Sequence, residues 1–340
     1  MTAFLDLTQA PYNVTQPWMG DDASAPDYTE TIQLAIDNLA SQNTGLIDTG
    51  GGDGGTILFP PFVVSISDKL IMRDGIKFQG NNRAASRLMM RMNFPGTTPG
   101  KHMIDLGDET TGHASFGGGI HDMHISARKG VAAAYNNYTV FSNNVQDSGA
   151  IISNCRIDGG SHFGAIKYME GRGGASLVKF ADIEAISRKQ ARAIGNVPMY
   201  VKVSGSCLVE IDGFEPSCDW INDDHPEYGA IPESFGLLAL GGTFDIKRVH
   251  AEAVEYPIYF GEYLGGGDNS PPGPDNYCQA RVSWMTGGAG NKALVWINTP
   301  QWVGKVTLDH IMLKTPSIPC SIRRYGAPNI TSDVIDRIRI

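Results

Sequence analysis

Short runs of alternating apolar and polar residues, broken by Gly, Asn and Asp, fill most of the chain after residue 55. A period of two predicts β-strands, and the turn residues between the runs predict frequent reversals. One segment, 27–40, has helical spacing instead, and Asp27 or Thr29 is placed to cap its start. Its apolar face consists of Ile32, Ala35, Ile36 and Leu39. The pattern predicts an all-β protein with one amphipathic helix.

Seven segments share one form: an apolar residue, two turn-like residues, an apolar residue, any residue, and an apolar or small residue. They begin at Ile120, Ile152, Phe180, Ile211, Ile246, Val282 and Leu308. The starts are 26 to 36 residues apart, which suits solenoid coils of two or three strands. We therefore predict a right-handed parallel β-helix (a solenoid) of about seven to eight coils. The amphipathic helix is expected to cap its open first coil.

Stacking the seven segments sorts their side chains into two columns. The fourth position gives an apolar inner column: Met123, Cys155, Ile183, Phe214, Val249, Met285 and Ile311. The fifth position gives a more polar outer column: His124, Arg156, Glu184, Glu215, His250, Thr286 and Met312. The alternation of a strand predicts that the first set lies in the core and the second on the surface.

A second strand follows most segments and supplies another outward column. We take Ile166, Val201, Leu238, Ile258, Val295 and Ile322 as inward. The next residues then face outward: Lys167, Lys202, Ala239, Tyr259, Trp296 and Arg323. Aromatic rings beside cations suit acidic sugars, so Lys202, Tyr259 and Trp296 are candidate substrate-binding residues. The alternative is that a loop or a partner subunit covers the rings.

Composition narrows the function. Charged residues make up 19% of the 340 and the net charge is −9, which argues against a nucleic-acid partner. The chain has no apolar run of membrane-spanning length, and its start does not read as a signal peptide. Its five cysteines lack metal or disulfide spacing, so we expect buried free thiols, no metal and no cofactor.

Two neighbouring carboxylates in the outer column, Glu184 and Glu215, are the main catalytic candidates. Glycoside cleavage uses two carboxyl groups, and adjacent coils lie about 4.8 Å apart, a suitable spacing. Asp182 and Asp212, in the adjoining turns, are further candidates. The alternative is that these charges are merely solvated or lie in a subunit interface.

Two more candidate substrate-binding residues lie nearby. His250 follows Glu215 in the outer column, and Trp220 belongs to a long segment, 217–233, rich in Asp, His and Glu. Loops commonly carry specificity on a rigid scaffold. The same oxygen-rich segment is compatible with calcium, although its spacing is not that of a known calcium loop.

The beginning of the chain resembles a known group. Residues 20–22 read GDD, the helix contains TIQLAID, and GGTILFPP and KLIMRDGIKFQGNN follow a glycine-rich turn. This order is similar to the start of pectate-lyase-superfamily β-helices, especially bacteriophage tailspikes and capsule depolymerases. The chain departs from that pattern in its ASAPDY insertion and in PPFVV where PPG is usual. The match is specific over residues 20–90, and later coils match only in general pattern.

The resemblance implies a phage tailspike, located in the virion tail, that binds and depolymerises a bacterial surface polysaccharide. Residues 1–20 would form an extended arm attached to phage tail or adaptor proteins, and residues 21–340 the capped β-helix domain. It also implies a homotrimer; the short tail from Arg323 is too small for the C-terminal trimerisation domain of many tailspikes, so the trimer contacts would lie on the flanks of the solenoid. A free pectinase-like lyase or hydrolase, and a non-catalytic receptor-binding or structural tail protein, are the alternatives.

Overall fold

The computed structural model describes residues 3–42, 54–73, 75–107, 115–116, 118–134, 137–147, 150–160, 163–175, 177–187, 197–203, 207–218, 235–251, 254, 256–260, 278–287, 294–297, 303–313, 322–324 and 335–339. The helix α1 spans Thr29–Gln42. The strands in these ranges are β1 Ala3–Asp6, β2 Gly55–Leu58, β3 Val63–Ile66, β4 Leu70–Ile71, β5 Ile76–Gln79, β6 Arg87–Met90, β7 Ile104–Asp105, β8 Ser115–Phe116, β9 Gly119–His121, β10 His124–Ser126, β11 Tyr138–Asp147, β12 Ile151–Asp158, β13 Gly164–Ala175, β14 Leu177–Ser187, β15 Met199–Lys202, β16 Leu208–Cys218, β17 Phe235–Leu240, β18 Thr243–Ala251, β19 Tyr256–Phe260, β20 Cys278–Gly287, β21 Val295–Ile297, β22 Val303–Leu313, β23 Ile322–Arg324 and β24 Ile335–Arg339.

The strands wind into a right-handed parallel β-helix, as predicted. Sheet A runs β1-β2-β5-β9-β12-β14-β16-β18-β20-β22-β24. A side branch, β3-β6-β10, joins this sheet where β10 pairs with β12. Sheet B runs β4-β7-β11-β13-β15-β17-β19-β21-β23, with β8 beside β11. The described strands form nine coils, from β2–β4 to β22–β23, and β24 adds a further strand. The predicted seven to eight coils are too few, because β2 and β5, which precede the seven repeats, belong to two separate coils.

A left-handed residue bends sheet A once in each coil from the third onward. These seven residues, which we call the bend column, have φ from +49° to +78°: Asp122, Asn154, Asp182, Gly213, Arg248, Trp284 and His310. The extra residue interrupts the alternation, so Phe180 and Ile183, three positions apart, both point inward. This explains the two turn-like residues of the repeat. It also corrects the placement of Asp182, which lies at a bend within β14 rather than in a separate turn.

The inner column is buried as predicted. Register pairs join Cys155, Ile183, Phe214, Val249, Met285 and Ile311 in succession. Met123 to Met285 are at most 1% exposed, and Ile311 is partly buried. Cys155, Cys207, Cys218 and Cys278 are buried free thiols. Burial raises the pKa of Cys155 to about 12, so it serves as a small apolar core residue.

The first residues of the chain are packed on the solenoid. Strand β1 pairs in parallel with β2, placing Ala3 opposite Gly55. Leu7 and Val14 are fully buried, and Trp18 N donates to Val63 O at 2.8 Å. The sequence had predicted an extended arm over residues 1–20. In the structure residues 3–18 lie against the first coil, and the separate arm with its attachment role stays a prediction.

Helix α1 packs its apolar face into the solenoid core. Ile32, Ala35 and Ile36 are fully buried, and Leu39 contacts β2 so closely at Gly55 that a Cβ there would overlap its side chain. The Gln33 side chain also exchanges two hydrogen bonds with the Ile71 backbone, at 2.9 and 3.1 Å. Because β4 is the edge strand of sheet B, these bonds satisfy backbone groups that the edge leaves open. The predicted cap stays a prediction, and these contacts support it.

A charged cluster anchors residues 18–22 to the solenoid. The Asp22 carboxylate accepts hydrogen bonds from Trp18 Nε1 at 2.8 Å, Met92 N at 2.7 Å and Arg128 Nη1 at 2.7 Å. The Arg128 guanidinium lies 5.1 Å from the centre of the Trp18 ring. Burial acts against the charge on Asp22, but the hydrogen bonds and the neighbouring arginines lower its pKa. None of the described helices is long and apolar enough to cross a membrane.

Candidate functional site

The register confirms the alignment of the outer column. His124 pairs with Arg156, Arg156 with Glu184, and Glu184 with Glu215. Further along, His250 pairs with Thr286 and Thr286 with Met312. Glu184 and Glu215 are therefore direct neighbours on β14 and β16, about 4.8 Å apart along the solenoid axis.

An open cavity of about 410 Å³ lies over these two glutamates, between the outer column and the bend column. Its walls include three residues that the sequence predicted beside Glu184: Asp182, Glu215 and His250. They also include residues that the sequence did not predict: Arg83, Asn154 and Arg248. Three of the four predicted catalytic carboxylates thus line one cavity, and the fourth, Asp212, contacts its wall through Arg248.

Arg248 joins the two aspartates. Its Nε donates to Asp212 Oδ1 at 2.5 Å and its Nη2 to Asp182 Oδ1 at 3.2 Å. Its own place in the bend column is two coils from that of Asp182, so its side chain crosses Gly213, which has none. Hydrogen bonding to Asp212 raises the pKa of this guanidinium. Asp182 and Asp212 thus both form ion pairs with Arg248 at the edge of the cavity.

The two glutamates differ in their charge partners. Glu184 is 19% exposed and lies 3.0 Å from Arg156 Nη1, so a cation compensates its charge. Glu215 is exposed, and among the described residues it has neither an ion pair nor a side-chain hydrogen bond. Two adjacent carboxyl groups, one compensated by a cation and one open to solvent, are chemically inequivalent. Inequivalent carboxyl groups are what acid and base roles require.

Two further side chains complete the cavity. Arg83, in the turn between β5 and β6, is exposed and makes no ion pair with the described residues. His250 Nδ1 lies 2.9 Å from Thr286 Oγ1, which orients the imidazole. The described residues contain no group of three or more His, Cys, Asp or Glu arranged to hold a metal ion. The cavity thus offers an open carboxylate, an open cation and an oriented imidazole to a ligand.

The sequence signal for Arg248 was its bend position in the segment IKRVHA. We had treated that position only as turn-like. Arg83 carries no such signal, because its turn between β5 and β6 lies before the first of the seven repeats. Asn154 occupies a bend position and donates to Asp122 in the neighbouring coil.

The other predicted binding residues lie on sheet B. The backbone register there pairs Lys167, Tyr200, Leu238, Tyr259, Trp296 and Arg323 in succession. Our assignment was wrong at two coils: Lys202 lies opposite Met169 and Leu240, and Ala239 points inward. Strand β17 is buried at all six positions, so it shows no alternation that could fix its register.

Tyr259 faces outward as predicted, but it is 1% exposed. It packs in a second apolar cluster outside sheet B, with its ring 4.8 Å from that of Phe235. The structure thus shows no open ring at this position, and Lys202, which is half-buried, does not line the cavity. The backbone of Trp296 pairs with Tyr259, but its side chain lies outside the described part. Trp220 and most of segment 217–233 also lie outside the described residues.

Comparisons with known proteins identify the fold. No family model matches the chain, and no curated protein matches its sequence. Among solved structures, the crystal structure of the Dettilon tailspike protein superposes with a TM-score of 0.54 at 13% identity, covering 91% of this chain and 62% of that one. A Geobacillus virus E2 protein (ORF18) has a TM-score of 0.48 at 12% identity, covering 91% of this chain and 57% of that one.

A tailspike protein of E. coli bacteriophage HK620 has a TM-score of 0.31 at 13% identity, covering 97% of this chain and 64% of that one. This chain spans about three fifths of the length of these phage proteins. At such low identity the likeness to the Dettilon tailspike shows a shared fold alone. The chain therefore shares the parallel β-helix architecture found in a phage tailspike.

Proposed function

We propose that this protein is a phage tail protein that binds a bacterial surface polysaccharide and cleaves it in the cavity over Glu184 and Glu215. The observation that carries the proposal is the pair of adjacent, inequivalent carboxyl groups in an open cavity on the solenoid flank. The cavity opens along the flank, where a long polymer has access without threading. A tailspike with the same architecture supports the assignment by analogy of fold.

The two glutamates would divide the chemistry. Arg156 compensates the charge of Glu184, which suits the role of base or nucleophile. Glu215 lies next to the Glu184 carboxylate and lacks a described cation partner, which suits the acid that protonates the leaving oxygen. Backbones about 4.8 Å apart favour the short carboxyl separation of a double displacement with retention.

A lyase would use the same cavity differently. It would need a cation at the uronic carboxylate and a base for the adjacent proton. Arg83 is an open cation in the wall, and His250 is an oriented imidazole. Hydrolysis releases reducing ends only, whereas elimination also produces an unsaturated uronate that absorbs in the ultraviolet.

The test incubates the full chain with a panel of purified bacterial surface polysaccharides and measures binding, reducing ends and ultraviolet absorbance. For a polymer that is cut, Glu215→Gln and Glu184→Gln should each lower kcat by roughly 10²- to 10⁴-fold. Glu210→Gln is the matched control, because Glu210 lies on the same strand, pairs with Lys179 at 3.2 Å and is outside the cavity. Full activity in both active-site variants contradicts the carboxylate assignment. Binding without either product leaves a receptor-binding protein.

The assembly part of the proposal concerns the first coil and the oligomer. We infer that the first twenty residues attach the protein to the virion; among those described, Phe4 is 70% and Met19 81% exposed. The assembly would be a homotrimer packed along the solenoid. Light scattering on the full chain tests the trimer, and a pull-down of tail proteins by wild type against Phe4→Ser tests the attachment. A monomer, or equal capture by both chains, contradicts the corresponding statement.

A further inference from the structure

Trp284 is a large aromatic side chain held on the surface. It occupies the bend column on β20, with φ +57°, and it is 60% exposed. One face of its indole stacks on the His310 imidazole of the next coil, with ring centres 4.2 Å apart and planes 9° apart. An exposed indole of this size can bury a large apolar area against a ligand.

A chain of contacts between two coils orders this ring before any ligand arrives. The Asp309 carboxylate lies 2.8 Å from His310 Nδ1, and Arg281, on the coil of Trp284, lies 3.7 Å from Asp309. Both stacked residues are fixed by the left-handed bend of their strands. A ligand would therefore meet an aromatic surface already in place, with little ordering cost.

The side of the indole away from His310 lies toward strand β18, whose Arg248 and His250 line the candidate cavity. The neighbouring residue of the bend column on that side is Arg248, whose guanidinium is drawn away to Asp182 and Asp212. Among the described residues, His310 is the one ring stacked on Trp284. Trp284 lies two strands from Glu215, or about 10 Å along the solenoid axis.

We propose that the Trp284–His310 pair is an outer subsite that binds one sugar ring of the polysaccharide held at Glu184 and Glu215. The apolar C–H face of a sugar would stack on the indole, and its hydroxyls would reach Asp309 and Arg281 on the flanks. The inference rests on the proposed function for its ligand. It adds a second contact region, which sets how many sugar units the protein engages.

The test uses, as its probe, the polysaccharide from the panel that the wild-type chain binds most tightly, together with oligosaccharides of increasing length prepared from it. Trp284→Ala should weaken binding of the long chains by roughly 10- to 100-fold, as expected for losing the burial of one large aromatic side chain. Trp284→Phe should restore part of that loss. Fragments too short to span about 10 Å from the cavity should bind equally to all three chains.

Leu34→Ala is the control, because Leu34 is also an exposed apolar residue, 53% exposed, but lies on helix α1. Circular dichroism and light scattering on each variant establish that fold and oligomeric state are kept. If Trp284→Ala instead alters the oligomeric state, the surface is a contact between copies and the subsite is refuted.

The outcomes separate this inference from the proposed function. Unchanged length dependence in Trp284→Ala, with cleavage intact, refutes the subsite alone. If Trp284→Ala loses binding of long chains and the wild-type chain binds but does not cleave them, the subsite is supported and the proposed enzymatic activity is refuted. A wild-type chain that binds no polymer of the panel overturns both.

Discussion

Gly213 offers a direct test of the bend column and of the cavity edge. Its φ is +78°, and a Cβ built there would overlap the Asp182 carboxylate and lie 3.2 Å from Arg248 Nη2. Gly213→Ala should therefore strain the backbone and push Asp182 away from Arg248. Six other coils place a non-glycine residue at this bend, so the fold itself tolerates a side chain.

The expected cost follows from three contributions. A left-handed alanine costs about 1–2 kcal/mol, and losing an exposed ion pair adds at most about 1 kcal/mol. Alanine also restricts the unfolded chain, which offsets about 0.4–1 kcal/mol of this loss. The free energy of unfolding should fall by about 1–2 kcal/mol in Gly213→Ala. Gly213→Asn should cost less, because asparagine adopts the left-handed region more readily.

Urea denaturation followed by circular dichroism measures these differences. The double variant Asp182→Ala with Gly213→Ala removes the overlapping carboxylate, so its loss should be smaller than the sum of the two single losses. If Gly213→Ala unfolds at the wild-type midpoint, the strain argument is refuted. If the double variant is strictly additive, the contact with Asp182 is refuted.

Three further changes test the packing of the first coils. Asp22→Asn should destabilise the protein at neutral pH and make its stability less sensitive to acid. The folded protein lowers the pKa of Asp22, so this carboxylate stabilises the fold above about pH 4, and the stabilisation is lost as pH falls through the folded pKa. Gln33→Ala should cost about 1–3 kcal/mol by leaving the Ile71 backbone groups at the sheet edge without partners. His102, whose pKa burial lowers to about 3, accepts a hydrogen bond from Tyr138 N at 3.0 Å, so stability should decline by about 2 kcal/mol from pH 6.5 to 5. His102→Asn keeps an acceptor without the titration and should remove that decline.

Urea midpoints at several pH values measure all three. Gln9→Ala is the control for Gln33, because Gln9 is exposed and, among the described contacts, its side chain bonds only to Thr8 Oγ1. A pH profile of Asp22→Asn parallel to wild type contradicts the first expectation. Equal losses in the two glutamine variants contradict the second. An undiminished decline in His102→Asn contradicts the third.

The sequence predicted the inner and outer columns well, because each coil repeats an apolar residue at a position that must face the core. One uniform register then carried Glu184 next to Glu215 without any further assumption. The bend column was harder to predict, because its seven residues share a left-handed backbone conformation but not one type of side chain. A left-handed Trp284 or Arg248 gives no compositional signal of the kind that Gly or Asn gives.

Sheet B was harder to predict from residues alone. Its outward side is covered around Leu238 and Tyr259, so apolar residues occupy both faces of the strand and the period of two disappears. The sequence did not predict strand β1, because four residues are too few to show an alternating pattern. Its partner β2 also lies about fifty residues later, on the other side of helix α1 in the sequence. Contacts between segments distant in the sequence determine both the covered side of sheet B and the position of β1.

The bend column separates the scaffold from its surface chemistry. Each coil from the third onward places one outward residue there, and the next residue of the same strand belongs to the buried inner column. An aspartate, a glycine, an arginine and a tryptophan stand on successive strands from β14 to β20 with the same core beneath them. Under the proposed function, substitutions along this single line of residues would alter ligand preference one strand at a time, while the packing of the interior is left as it is.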